Sequence, residues 1–180
     1  MDLSGPVMKH FNQTSGMMYQ NNGYCNNRED KQILILDTFG TSSPTNLENM
    51  TFTIDLYEPL KIDVLSDIYL DNFTTYHSLR NNAVPAVADN RVFVLGIDQF
   101  NIQSVSTIAT FNNKIIIPNE STSTASSCQS HKSRKMNYIC SINPQTLTKL
   151  SGSITNAKGG VIFDTSPNGF TAEFIIVARK

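Results

Sequence analysis

From Gln32 onward the chain is a succession of short β-type runs separated by turn residues, and that rhythm constrains the fold more than any other feature. The runs are Ile33–Asp37, Thr51–Tyr57, Leu60–Leu65, Asp67–Phe73, Arg91–Asp98, Lys114–Ile117, Met136–Ile142, Lys149–Thr155, Val161–Phe163 and Phe170–Ala178. They are rich in Ile, Val, Phe, Tyr and Thr, whose branched or flat side chains fit a pleated surface. Thr51–Leu56 alternates cleanly, setting Phe52, Ile54 and Leu56 on one face. The breaks carry turn chemistry: Gly40–Pro44, Glu58-Pro59, Asn81-Asn82, Pro118-Asn119, Asn143-Pro144, Lys158-Gly159-Gly160 and Ser166–Gly169. Short strands at this spacing predict an antiparallel sandwich or barrel, and eight main strands in two facing sheets make a jelly roll. The expected fold is all-β: an antiparallel β-sandwich, a single jelly roll, with an extended N-terminal arm. No long amphipathic helix is visible. Asp63–Tyr69 is the best helical candidate, with Leu65 and Tyr69 on one face, but its Ile and Val suit a strand equally. No internal repeat or second folded domain is evident.

Residues 1–31 form a different zone, in which neither helical nor strand periodicity is sustained. Its apolar residues are Met17, Met18, Tyr19 and Tyr24, set among Asn, Gln and Gly. One reading is a disordered tail. The other is an arm that orders on a partner, with those four residues as adaptable anchors. The domain division expected is therefore an arm over 1–31 and a sandwich over 32–180.

At 180 residues the chain is long enough to bury a hydrophobic core unaided by metals or disulfides. Charged residues make up only 16%, against about 25% in ordinary proteins, and Asn, Thr and Ser carry the polarity instead. Such a surface suits one that neighbours will cover, because burying charge is costly; a low-charge extracellular domain would look the same. The net charge of −1 supplies no global field toward nucleic acid or an anionic membrane. Three cysteines, Cys25, Cys128 and Cys140, match neither a disulfide framework nor a zinc pattern. Cys140 lies in an apolar run and is expected to be a buried free thiol, in keeping with a reducing compartment. No signal-peptide pattern opens the chain, and no segment has the roughly 20 apolar residues needed to cross a bilayer. The sequons at Asn12, Asn49, Asn72 and Asn119 are expected to stay unmodified.

Signatures of catalysis are sparse. His10, His77 and His131 stand apart from one another, outside any metal-binding spacing, and no G-x-S-x-G elbow or P-loop occurs. Lys158-Gly159-Gly160 reads as a hairpin turn. Asp63, Asp67 and Asp71 recur every four residues, with Asp55 upstream, but lack a calcium-loop pattern and read as capping or hydrogen-bonding residues. The expectation is a non-enzyme without cofactor or metal. Ser121–Ser130 reads as a long surface loop, followed by the one basic cluster, His131, Lys132, Arg134 and Lys135. That cluster suits lipid head groups, nucleic acid or an acidic neighbour, or is a solvated loop tip. Phe52, Phe93 and Phe100 fall at alternating positions and are expected in the core rather than against bases.

The segments Ile33–Thr38, Phe52–Leu60, Asp67–Thr74, Leu95–Phe100, Lys114–Glu120, Lys135–Ile139 and Phe174–Arg179 together resemble minor capsid proteins of nucleocytoplasmic large DNA viruses. The resemblance implies a single jelly roll packed beneath or between major capsid capsomers, or at the vertices. No catalytic residue carries over, because such proteins work through surfaces. The expected partners are the major capsid protein and other minor capsid proteins, with a homo-oligomer and peripheral contact with an internal membrane also in view. No specific nucleic acid and no transmembrane segment are expected. The protein would be made in the host cytoplasm and reside in the virion. The partner-binding candidates are Met17, Met18, Tyr19 and Tyr24 in the arm and His131, Lys132, Arg134 and Lys135 in the basic cluster. Two other readings remain: a jelly-roll module binding glycan or another receptor through Ser121–Lys135, and an enzyme on a cupin-like scaffold.

Overall fold

The computed structural model describes residues 31–39, 45–46, 51–75, 88–120, 129–163 and 169–179, with 45–46 and 129–136 described by their backbone alone. Residues 1–30 of the expected arm, with Met17, Met18, Tyr19 and Tyr24, lie outside them, as do His77 and Cys128; Lys31, placed in the arm by sequence, opens the first strand.

Nine strands are present among the described residues: β1 (Lys31–Asp37), β2 (Thr45–Asn46), β3 (Thr51–Ile62), β4 (Ser66–Thr75), β5 (Val92–Ile97), β6 (Ile115–Pro118), β7 (Gln129–Ile142), β8 (Gln145–Thr155) and β9 (Phe170–Ala178). One sheet has the order β1-β9-β4-β7, the other β2-β3-β8-β5-β6. The register-matched pairs are antiparallel. The expected antiparallel sandwich is what forms.

Period-two burial makes the two sheets stick. In β4, Ser66, Ile68, Leu70, Phe73 and Thr75 point inward, and in β9 Phe170, Ala172, Phe174 and Ile176 do the same. Phe52, Phe93 and Phe100, expected inside, are 2%, 1% and 5% exposed. Aromatic rings join the layers: Phe73 of the four-stranded sheet lies 5.0 Å from Phe93 of the other, and Phe170 lies 5.7 Å from Phe52. Such tilted and edge-on pairs add to the burial of their large apolar area. At the far end of β1, Thr38 donates its N–H to Phe170 O and receives the Phe170 N–H on its Oγ1, tying the edge strand to β9. Gly152 of β8 has no room for a side chain, because a Cβ there would collide with the Gly96 carbonyl on β5.

Several expectations are corrected. Thr51–Tyr57 and Leu60–Leu65 are not separate strands divided by a turn at Glu58-Pro59. Thr51–Tyr57 and Leu60–Ile62 belong to β3, whose register against β8 slips between Asp55 and Leu60, so a bulge absorbs the proline, and Asp63–Leu65 connect it to β4. Val161–Phe163 contributes one isolated bridge rather than a strand. Asp63–Tyr69 is not helical; Ser66 onward is β4. Lys158-Gly159-Gly160 does form a turn, with Gly159 at φ 81° and Asn156 Oδ1 accepting from the N–H groups of Lys158 and Gly160, but no strand pairs back across it as in a hairpin.

Candidate docking face on the four-stranded sheet

The basic cluster does not form a loop tip. His131, Lys132, Arg134 and Lys135 all lie within β7, with His131 opposite Phe73 and Lys132 opposite Asn72. Gln129 and Ser130, read as the end of a loop, begin the same strand. The physical reason is that β7 is a sheet edge: one side of its backbone bonds to β4, and an edge strand tolerates charge that a central one would not. The side chains of these four residues are outside the described set.

The aspartates do not converge. Asp55 sits opposite Lys149 across β3 and β8, Asp63 pairs with Lys61 at 2.8 Å, and Asp67 pairs with Arg179 at 2.7 Å. Asp71 occupies the point where β4 slips register against both neighbours. Among the described residues no cluster of three His, Cys, Asp or Glu side chains is placed to hold a metal ion. Cys140 is 3% exposed, and burial pushes its thiol up to about 11.

What the structure does bring together is a row of outward-facing apolar side chains across the four-stranded sheet. Tyr69 on β4 is in register with Ile175 on β9 and with Tyr138 on β7. The Tyr69 and Tyr138 rings meet edge to face at 5.8 Å. β1 lies beside β9 and bears Ile33 and Ile35 on its outward side. Val177 flanks the row on β9 and Ile35 on β1. Ile33 and Ile35 are 61% and 59% exposed and Tyr138 is 54% exposed, while Tyr69, Ile175 and Val177 are partly covered by their neighbours. The row therefore runs from one edge of the sheet to the other.

A polar network anchors one side of it. Arg179 donates from Nε to Asp67 Oδ1 at 2.8 Å and from a terminal nitrogen to Ser141 Oγ at 2.7 Å, and Ser141 donates to Asp67 Oδ1 at 2.8 Å. Tyr138 shares a hydrogen bond of 2.9 Å with Ser141. The Arg179 guanidinium holds the Asp67 carboxyl below the usual carboxylate range; partial burial opposes this and the Ser141 bond adds to it. The network fixes the Tyr138 ring, so an aromatic contact is presented with little freedom left to lose.

The outer side of the five-stranded sheet is different. It carries Thr53, Asp55, Lys149, Ser151 and Ser153, with Ser151 engaged by Asp98 and Gln99, and beside them Val94 on β5 and the part-exposed Ile116 on β6. Tyr57 and Val105 are fully exposed, but each stands alone, as single surface apolar residues commonly do.

Sequence reasoning missed this face, although a signal was there. Ile33-Leu34-Ile35-Leu36 and Phe174-Ile175-Ile176-Val177 are unbroken apolar runs, not alternating ones. A continuous run is the pattern of a strand covered on both sides. No helix among the described residues is long and apolar enough to cross a membrane. No protein-family model matches the chain, and comparison with curated proteins likewise finds no match.

Proposed function

We propose that this chain is a structural component of a virus particle, a minor capsid protein that docks through the outer face of its four-stranded sheet. The observation that carries the reading is that face: β1 and β9 each carry two large apolar residues on their outward side, Ile33 and Ile35, Ile175 and Val177, which the protein's own described residues cover only in part. An exposed apolar patch that spans a sheet is costly to leave in water and marks an interaction surface. The low charge of the whole chain supports the same conclusion.

The sheet orders β1-β9-β4-β7 and β3-β8-β5-β6 support a single jelly roll, eight strands wound as two interleaved Greek keys with the two-residue β2 added at an edge. That fold agrees with the resemblance to minor capsid proteins of large DNA viruses. In this reading the partners are the major capsid protein and neighbouring minor capsid proteins, and the place of residence is the virion.

The test is quantitative mass spectrometry of gradient-purified, nuclease-treated particles of the virus that encodes the chain. Recovery at a fixed ratio to the major capsid protein is the expected result. Absence from particles would overturn the reading and favour a receptor-binding module acting through Ser121–Lys135.

A further inference from the structure

We propose that the docking face receives a second copy of this chain, packed sheet against sheet about a two-fold axis. The proposal rests on the reading of that face as an interface and names its occupant. Along β9 and the residue that follows it, the outward positions are Glu173, Ile175, Val177 and Arg179. The series runs acid, apolar, apolar, base, and is its own complement when reversed. Laid antiparallel on itself, Glu173 meets the second copy's Arg179 and Ile175 meets its Val177.

A two-fold axis between the sheets, perpendicular to the strands and level with Ile176, produces that arrangement. It reverses strand direction and keeps strand order, so each strand crosses its own counterpart, as an isologous interface requires. The same level on β4 is Ile68 and on β7 Cys140, so Tyr69 and Tyr138 lie close to the axis and meet their equivalents. Ile33 extends the same face onto β1. Facing sheets pack about 10 Å apart, a gap that Ile, Val and Tyr side chains fill.

About that axis the second copy covers the Ser66–Leu70 end of β4 and the Glu173–Arg179 stretch, the part of the face that carries Tyr69, Ile175 and Val177. Charge fits as well: Arg179 is 47% exposed despite its bond to Asp67, so its guanidinium is within reach of a carboxylate from outside.

The test is sedimentation equilibrium on the full chain over a range of concentrations. The expected result is a dimer. Glu173→Arg and Arg179→Glu are each expected to weaken it by at least about tenfold, because each sets like charges together. An equimolar mixture of the two variants is expected to dimerise again, since the mixed pair restores both opposite-charge contacts. Arg179→Glu also disturbs the bond to Asp67, so Ile33→Glu, at an exposed position, serves as a second variant; it is expected to be monomeric with an unchanged melting temperature. A wild-type chain that stays monomeric, or a dimer indifferent to Ile33→Glu and to mixing, would overturn the proposal. If the wild type is monomeric but Ile33→Glu is lost from particles, the second copy fails and the docking face stands. If that variant is incorporated normally, both fail.

Discussion

Asp67 is held by two donors, Arg179 and Ser141, and its carboxyl is correspondingly more acidic than usual. A carboxyl whose folded-state pKa lies below its unfolded value of about 4 stabilises the fold above that value, and the contribution is lost as pH falls through the folded pKa. Acid titration of thermal stability should therefore fall below about pH 4, and Asp67→Asn should be less stable at neutral pH with a shallower acid dependence. Equal acid slopes for the two proteins would show that the bond does not contribute. In the interior, Phe73 is 1% exposed and packs against Phe93 and Phe170, so Phe73→Ala should cost about 3–5 kcal/mol in denaturant unfolding. Cys140, with its thiol pushed up to about 11, should resist alkylation at pH 8 in the folded protein and react on unfolding, as peptide mass spectrometry would show. The inward residues were legible in advance, because alternation such as Phe52, Ile54, Leu56 depends on chain geometry alone. The outward apolar residues were less so. Ile175 and Ile176 are chemically the same, and only pairing decides which one faces out.

Elements were legible where apolar period-two runs met turn residues, as at Asn143-Pro144 between β7 and β8. They were misread where a distant strand overrode local composition. The first half of β7 is Gln, Ser, His, Lys and Arg, a stretch that no strand propensity would choose. It is a strand because β4 supplies a hydrogen-bond ladder to it, from Asn72–Lys132 through Thr75–Gln129. Likewise Pro59 ends a strand by local rules, yet β3 passes it in a bulge. β4 is paired on both sides, to β7 and β9, whereas β1 and β6 are edges. Hydrogen exchange should accordingly be slowest in β4 and β9 and faster in β1 and β6. Fast exchange across β4 would contradict the sheet order.

At the scale of the whole molecule, two sheets with unlike outer faces share one aromatic core. One outer face mixes Ser and Thr with Asp55 opposite Lys149 and the apolar Val94 and Ile116; the other carries an apolar row braced by the Asp67–Ser141–Arg179 network. Sandwich architecture could be read from strand rhythm, but the difference between its faces could not, since it depends on which strands become neighbours. The most direct test is incorporation into virus particles of a chain carrying Ile33→Glu and Tyr138→Ser, both exposed positions. Purified in parallel with wild type and quantified by mass spectrometry against the major capsid protein, the variant should fold, with a small drop in melting temperature from the lost Tyr138 contacts to Tyr69 and Ser141. Its recovery in particles should fall at least about tenfold, as loss of an aromatic anchor and an aliphatic one in an interface implies. Recovery equal to wild type would contradict a docking role for this face.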